Sequence, residues 1–246
     1  MWKQRRNKNV CGDNIVDTVK VQGDVIMSLD KLVNKGFVRY TKNHFPDEAD
    51  TIINKANELY PKLHAKAPDI GGSANNMAYN LDMMITAVSY YEASDHRIGG
   101  EAFGEIASTL LKKYGFVKKF ININKPWQMR LLKKAMYNRY VPYSKLVDDK
   151  LSKGEWGNTW RVKINPKNID EGVAFDLVGC PLADYAKAYG YEELLPHMCA
   201  VDHLMPQLVH AKLIRTHTCA TGSDSCDYWY VADDSETARN FKGELV

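Results

Sequence analysis

Trp160-Arg161-Val162-Lys163-Ile164 and, a few residues on, Val173-Ala174-Phe175-Asp176-Leu177-Val178 decide the fold. In the first stretch apolar and basic residues alternate, which is the signature of a strand with one wet face. The second is nearly all apolar and reads as a more buried strand. Asn165-Pro166-Lys167-Asn168 between them is turn chemistry. Two further stretches alternate, Lys212 to Thr218 and Cys226 to Val231. Gly222-Ser223-Asp224-Ser225 forms a hairpin turn between them.

On either side of the first strand pair the pattern is helical. Upstream, apolar residues recur at helical spacing through Val25, Leu29, Leu32 and Val33, a run that Gly36 ends. Helices are expected from Asp47 to Leu63, from about Asn76 to Ser94, from Glu101 to Tyr114 with Gly115 as its stop, and from Trp127 to Tyr140. The last of these is basic on one side, with Arg130, Lys133, Lys134 and Arg139. Downstream, Pro181 opens a short helix closed by Gly190, and a longer helix covers Glu193 to Leu208.

Helices first, then strands with inserted helices, predict an α+β fold: a helical N-terminal half packed with a small antiparallel sheet. Residues 1–23 read as a basic arm, carrying Lys3, Arg5, Arg6 and Lys8. Residues 24–246 read as one domain, helical to about residue 150 and sheet-containing from about 151 to 234. No Gly/Ser-rich linker and no internal repeat divides the chain.

The 246 residues are 45% hydrophobic and 26% charged, as in an ordinary globular chain. The 33 basic residues stand against 30 acidic ones, so nucleic acid is not expected as a partner. No stretch approaches the ~20 apolar residues of a membrane span, and no membrane is expected as a partner. A cytoplasmic protein with reduced thiols is expected, acting on a small molecule, with a homo-oligomer possible. Five cysteines, an odd count, do not suit a closed disulfide framework.

Four of those cysteines, Cys180, Cys199, Cys219 and Cys226, fall where secondary structure starts, ends or turns. A helix starting at Pro181 aims its positive end at Cys180, which lowers a thiol pKa. On a helix Cys199, Asp202 and His203 share one face. That is either a thiol, carboxylate and imidazole cluster fit for nucleophilic or proton-transfer chemistry, or a structural cysteine beside a surface acid and histidine. Along the strand Leu213, Arg215, His217 and Cys219 are expected on one face and Ile214, Thr216 and Thr218 on the other; Arg215 either faces solvent or holds an anion. Cys180, Cys199, Cys219, Cys226, His203 and His217 are potential zinc ligands, but no C-x-x-C or H-x-x-x-H pair supports a metal. The nucleophile elbow, the P-loop and the dinucleotide fingerprint are missing, and no cofactor is expected.

The spaced residues Cys180-Pro181-Leu182-Ala183, Gly190, Glu193-Leu194, Pro196, Cys199, Asp202, Arg215, Thr218, Gly222 and Cys226-Asp227-Tyr228 resemble the L-2-amino-thiazoline-4-carboxylic acid hydrolase family. The resemblance covers about the last third of the chain. The cysteine pattern is also similar to the 4-vinyl reductase type of small-molecule-binding domain, which would make the chain a non-catalytic sensor. The hydrolase resemblance implies opening of a cyclic amidine-like ring that carries a carboxylate, giving a carbamoyl-cysteine; a lyase or isomerase on a related acid is the other enzymatic reading. Fitted to hydrolysis, Cys199 is the first nucleophile and Cys180 the second. Asp202 is acid or base with His203 assisting, Arg215 holds the substrate carboxylate, and Thr218 and Cys226 line the pocket.

Overall fold

In a computed structural model that describes residues 29–243, the helical half runs as α1 (Leu29–His44), α2 (Ala49–His64), α3 (Ala78–Ala93), α4 (Glu101–Tyr114) and α5 (Pro126–Ser152). The basic arm and Cys11 lie outside the described residues. The apolar stripe of α2 is buried as its spacing predicts, through Ile52, Ala56 and Leu63. Helix α3 is buried nearly all round. Leu81, Met84, Ile85 and Val88 pack toward the sheet, and Ala87 and Tyr90 pack toward α1 and α4.

Two helix ends differ from the sequence reading. Gly36 does not end α1, which continues two more turns. Its missing side chain serves packing instead: a Cβ there would sit 2.6 Å from Cγ2 of Ile106 on α4. Helix α5 runs twelve residues past Tyr140, through Pro142. Proline removes one helical hydrogen bond, but Pro142 sits on the exposed side, where water can serve the freed carbonyl. Gly115 keeps right-handed geometry, and the chain tightens into a 3-10 turn, Gly115–Lys119.

The sheet has four antiparallel strands in the order β1-β2-β4-β3, with β1 Arg161–Ile164, β2 Val173–Val178, β3 Ala211–Ile214 and β4 Ser225–Ala232. Register sets Phe175 opposite Tyr228, Leu177 opposite Cys226 and Leu213 opposite Tyr230. Directly paired residues share a face, so these form the inner face against α3, α5 and α6 (Pro181–Tyr189). Phe175 and Tyr228 stack at 5.0 Å with their planes 4° apart. The outer face carries Ile214 and Val231, covered by α8 (Glu236–Asn240) and Phe241. The fold is therefore α+β, as expected.

Two C-terminal elements are shorter than expected. The helix from Glu193 to Leu208 is broken: α7 covers Leu195–Val201, and a 3-10 turn covers Met205–Val209. Pro206 is the cause, since it offers no N–H and crowds the helical conformation of the residue before it. The strand from Lys212 ends at Ile214, not Thr218. The ten residues between β3 and β4 hold a 3-10 turn, Cys219–Thr221, whose cap is Thr218.

Candidate functional site

Cys180 is the cap residue of α6, with Pro181 in the first helical position and Gly190 closing the helix in the left-handed conformation at φ 78°. Its thiol is pulled down to about 7. The first cause is the Cys219 thiol, which donates to it; burial opposes, and the backbone N–H groups of Ala183 and Leu182 add to the stabilisation of the thiolate. Cys219 also faces Cys226, whose thiol is pulled down by the same donor against its own burial. The backbone N–H of Cys219 donates to Cys226 Sγ at 3.2 Å. One S–H serves only one acceptor at a time, and Cys180 alone has the helix N–H groups as well. Cys180 is therefore the thiolate of the cluster, and Cys219 is held protonated.

Cys199 is the opposite case. Burial, and then the Asp202 carboxylate, push its thiol up to about 12. At neutral pH it is a weak nucleophile. Its carbonyl instead accepts a 2.7 Å bond from Arg215 Nη2.

Asp202 caps the end of α7, one turn after Cys199. Arg215 Nη1 and the Tyr228 hydroxyl each donate to its Oδ2 at 2.8 Å. Arg215 is 1% exposed, so it is not a solvent-face residue. Its guanidinium lies 5.5 Å over the Tyr228 ring. Asp202 keeps 39% of its side chain exposed. It is the one carboxylate on the wall of a cavity of about 230 Å³, otherwise formed by Leu132 and Met136 of α5, the 3-10 turn at Met205 to Val209, Ala211 and Tyr230.

The other expected site residues are placed as follows. His203 is buried but is not on that cavity wall. Thr218 is buried and spent as a cap, accepting from the Thr221 N–H at 3.2 Å. Cys226 belongs to the thiol cluster beside β2 and not to the Asp202 cavity. Arg215 and His217 do not share a face, because the strand ends before them: His217 turns to Ser225 and Asp227 on the outer side. The Cys180–Cys219–Cys226 cluster does not line the Asp202 cavity, but Cys199 and Arg215 link the two: the Cys199 thiol feels Asp202, Arg215, Cys226 and Cys180, and Arg215 also acts on Cys226. Among the described residues no three His, Cys, Asp or Glu are arranged to hold a metal ion.

Sequence reasoning missed the bond from Tyr228 to Asp202 and the donor role of Cys219. The signal was present: alternation puts Cys226, Tyr228 and Tyr230 on one face of β4.

A family model described as L-2-amino-thiazoline-4-carboxylic acid hydrolase matches residues 79–230, more than half of the chain. That span takes in α3 and the whole sheet up to Tyr230. No curated protein matches the chain. No solved structure matches it either.

Proposed function

The chain belongs to the L-2-amino-thiazoline-4-carboxylic acid hydrolase family, and on that premise we propose that it hydrolyses the ring of a small cyclic amidine-type carboxylic acid, with Asp202 handling the protons. One observation carries the reading: a carboxylate oriented by a buried arginine and a tyrosine at the wall of an otherwise apolar cavity.

The chemistry follows from charge. A cyclic amidine takes up a proton readily, and its cation pairs with a carboxylate through charge-assisted hydrogen bonds. Both structural bonds fall on Oδ2, and Oδ1 is the atom assigned to the reaction. It takes a proton from water as the water oxygen bonds to the ring carbon between nitrogen and sulfur. It then returns that proton to the ring nitrogen as the ring carbon–nitrogen bond breaks; the hydroxyl left on the carbon gives up its own proton to the freed amine and becomes the carbonyl, which stays on sulfur. The product is a carbamoyl-cysteine.

Arg215 then acts as a positioning residue. Its guanidinium is engaged with Asp202 and the Cys199 carbonyl, which replaces its expected role on the substrate carboxylate. A second reading rests on Cys180, whose thiolate suits covalent attack on the same ring carbon. Cys199 is the weaker thiol on either reading.

Turnover of 2-amino-thiazoline-4-carboxylate separates these readings. Asp202→Asn is expected to lower kcat by about 100-fold or more, the usual worth of a lost acid–base group. Tyr228→Phe keeps the ion pair and is expected to cost about 10-fold, which guards against a folding artefact in the first variant. Cys199→Ala is expected to stay near wild type. An inactive Cys180→Ala beside an active Asp202→Asn moves the chemistry to the thiol. Wild type without turnover removes this substrate.

A further inference from the structure

From Ile106 to Val147 the chain has ten lysines and arginines and no aspartate or glutamate. The fold turns much of that stretch outward. The 3-10 turn after α4 and the residues beyond it expose Phe116 (54%), Phe120 (74%) and Ile121. Lys118 and Lys119 are exposed between them. The Asn122 N–H donates to Gln128 Oε1 at 2.6 Å, which ties this turn to the start of α5.

There Trp127 and Leu131, four residues apart on one helix face, are each more than half exposed. Arg130 and Lys134 lie on the same face. Further along the exposed side come Val141, Lys145 and Leu146. Apolar tips and cations therefore alternate over five turns of helix, with no acid among them. Single exposed apolar residues are ordinary, but a continuous patch marks an interaction site.

We propose that this face docks on the surface of an anionic lipid bilayer. The aromatic and aliphatic tips enter the headgroup region, and the lysines pair with lipid phosphates and carboxylates. A lysine stem lies along apolar surface while its ammonium reaches the charged layer, which suits this mixture of residues. A second copy of the chain is a poor occupant, because a twofold contact sets the same positive charges against each other. A single-stranded nucleic acid is favoured by stacking rings and guanidinium groups. Here eight of the ten cations are lysine, and Ile121, Leu131 and Val141 have no ring to stack. The balanced net charge of the whole chain is an average that conceals this segregation. Leu132 and Met136, on the adjoining flank of α5, wall the Asp202 cavity, so the docked face adjoins it. The proposal does not depend on the hydrolase reading.

The test is sedimentation of the full chain with vesicles of phosphatidylcholine alone, or with about 30% phosphatidylserine. Binding to the anionic vesicles only, reversed by high salt, is the expected result. Phe120→Ser and Trp127→Ser are each expected to lower the partition about tenfold with melting temperature unchanged, and Trp127→Phe to retain it. No binding to anionic vesicles overturns the proposal. Binding that survives both serine variants also overturns it, as attachment through the basic stretch Lys3 to Lys8 would. Tighter binding to a single-stranded oligouridine, lost in the same variants, overturns it in favour of RNA.

Discussion

Two cysteines nineteen positions apart are driven in opposite directions by their surroundings. Cys180 sits at a helix start with a thiol donor, and Cys199 sits among apolar atoms beside a carboxylate. The sign of each shift is testable without substrate. The rate of Cys180 alkylation by iodoacetamide should rise with pH and reach half its plateau near pH 7, because only the thiolate attacks. Cys199 should stay unmodified throughout the neutral range. Peptide mass spectrometry at a series of pH values reads both. A Cys219→Ala variant removes the main donor and should move the Cys180 midpoint upward. The helix start at Cys180 was legible in the sequence, since Pro181 marks it, whereas its main donor, Cys219, was not. The Cys199 environment was not, because nothing local states how deeply a helix end is buried.

At the scale of elements, close approach decides more than propensity. Gly36 reads as a helix stop because glycine lowers helix propensity by about 1 kcal/mol relative to alanine. The fold uses it where α1 meets α4, with Ile106 in the space a side chain would need. Gly36→Ala should therefore destabilise by about 1–2 kcal/mol in denaturant melts, although the substitution favours an isolated helix. Gly36→Ala/Ile106→Ala, which empties that space, should recover part of the loss. Elements bounded by local chemistry were read well: α4 and α6 have the predicted ends, and the strand β2 does too. Elements bounded by long-range contact were not. The length of α5 depends on hydroxyls of Tyr143 and Ser144 reaching carbonyls of Trp160 and Val162, a partnership no window of sequence displays. The candidate site shows the same division. Its residues were named, yet which of them meet depends on where β3 stops.

The described residues form two main apolar clusters, one under the sheet and one among α1 to α4. Helix α3 belongs to both, and Met198 of α7 packs against both. Tyr185 of α6 donates to the Leu63 carbonyl at 3.1 Å, which fastens the C-terminal half to α2. Unfolding either cluster strips the other of α3. The chain should therefore melt in one transition, with calorimetric and van 't Hoff enthalpies equal. Two resolved transitions would mean that the helical and sheet halves are separate domains. Among the described residues no helix is long and apolar enough to cross a membrane.

The Asp202–Arg215 pair has a consequence for sequence history. Arg215 is sealed from water and depends on Asp202 for its counter-charge. Loss of the acid alone strands a buried cation, at a cost of about 3 kcal/mol, the low end for such pairs because water still reaches Asp202. Loss of the arginine alone sets the acid adrift at the cavity wall. Neither position can drift singly. Related chains should retain acid and arginine as a linked couple or replace both together, and a lineage that kept only one would mark the loss of this site.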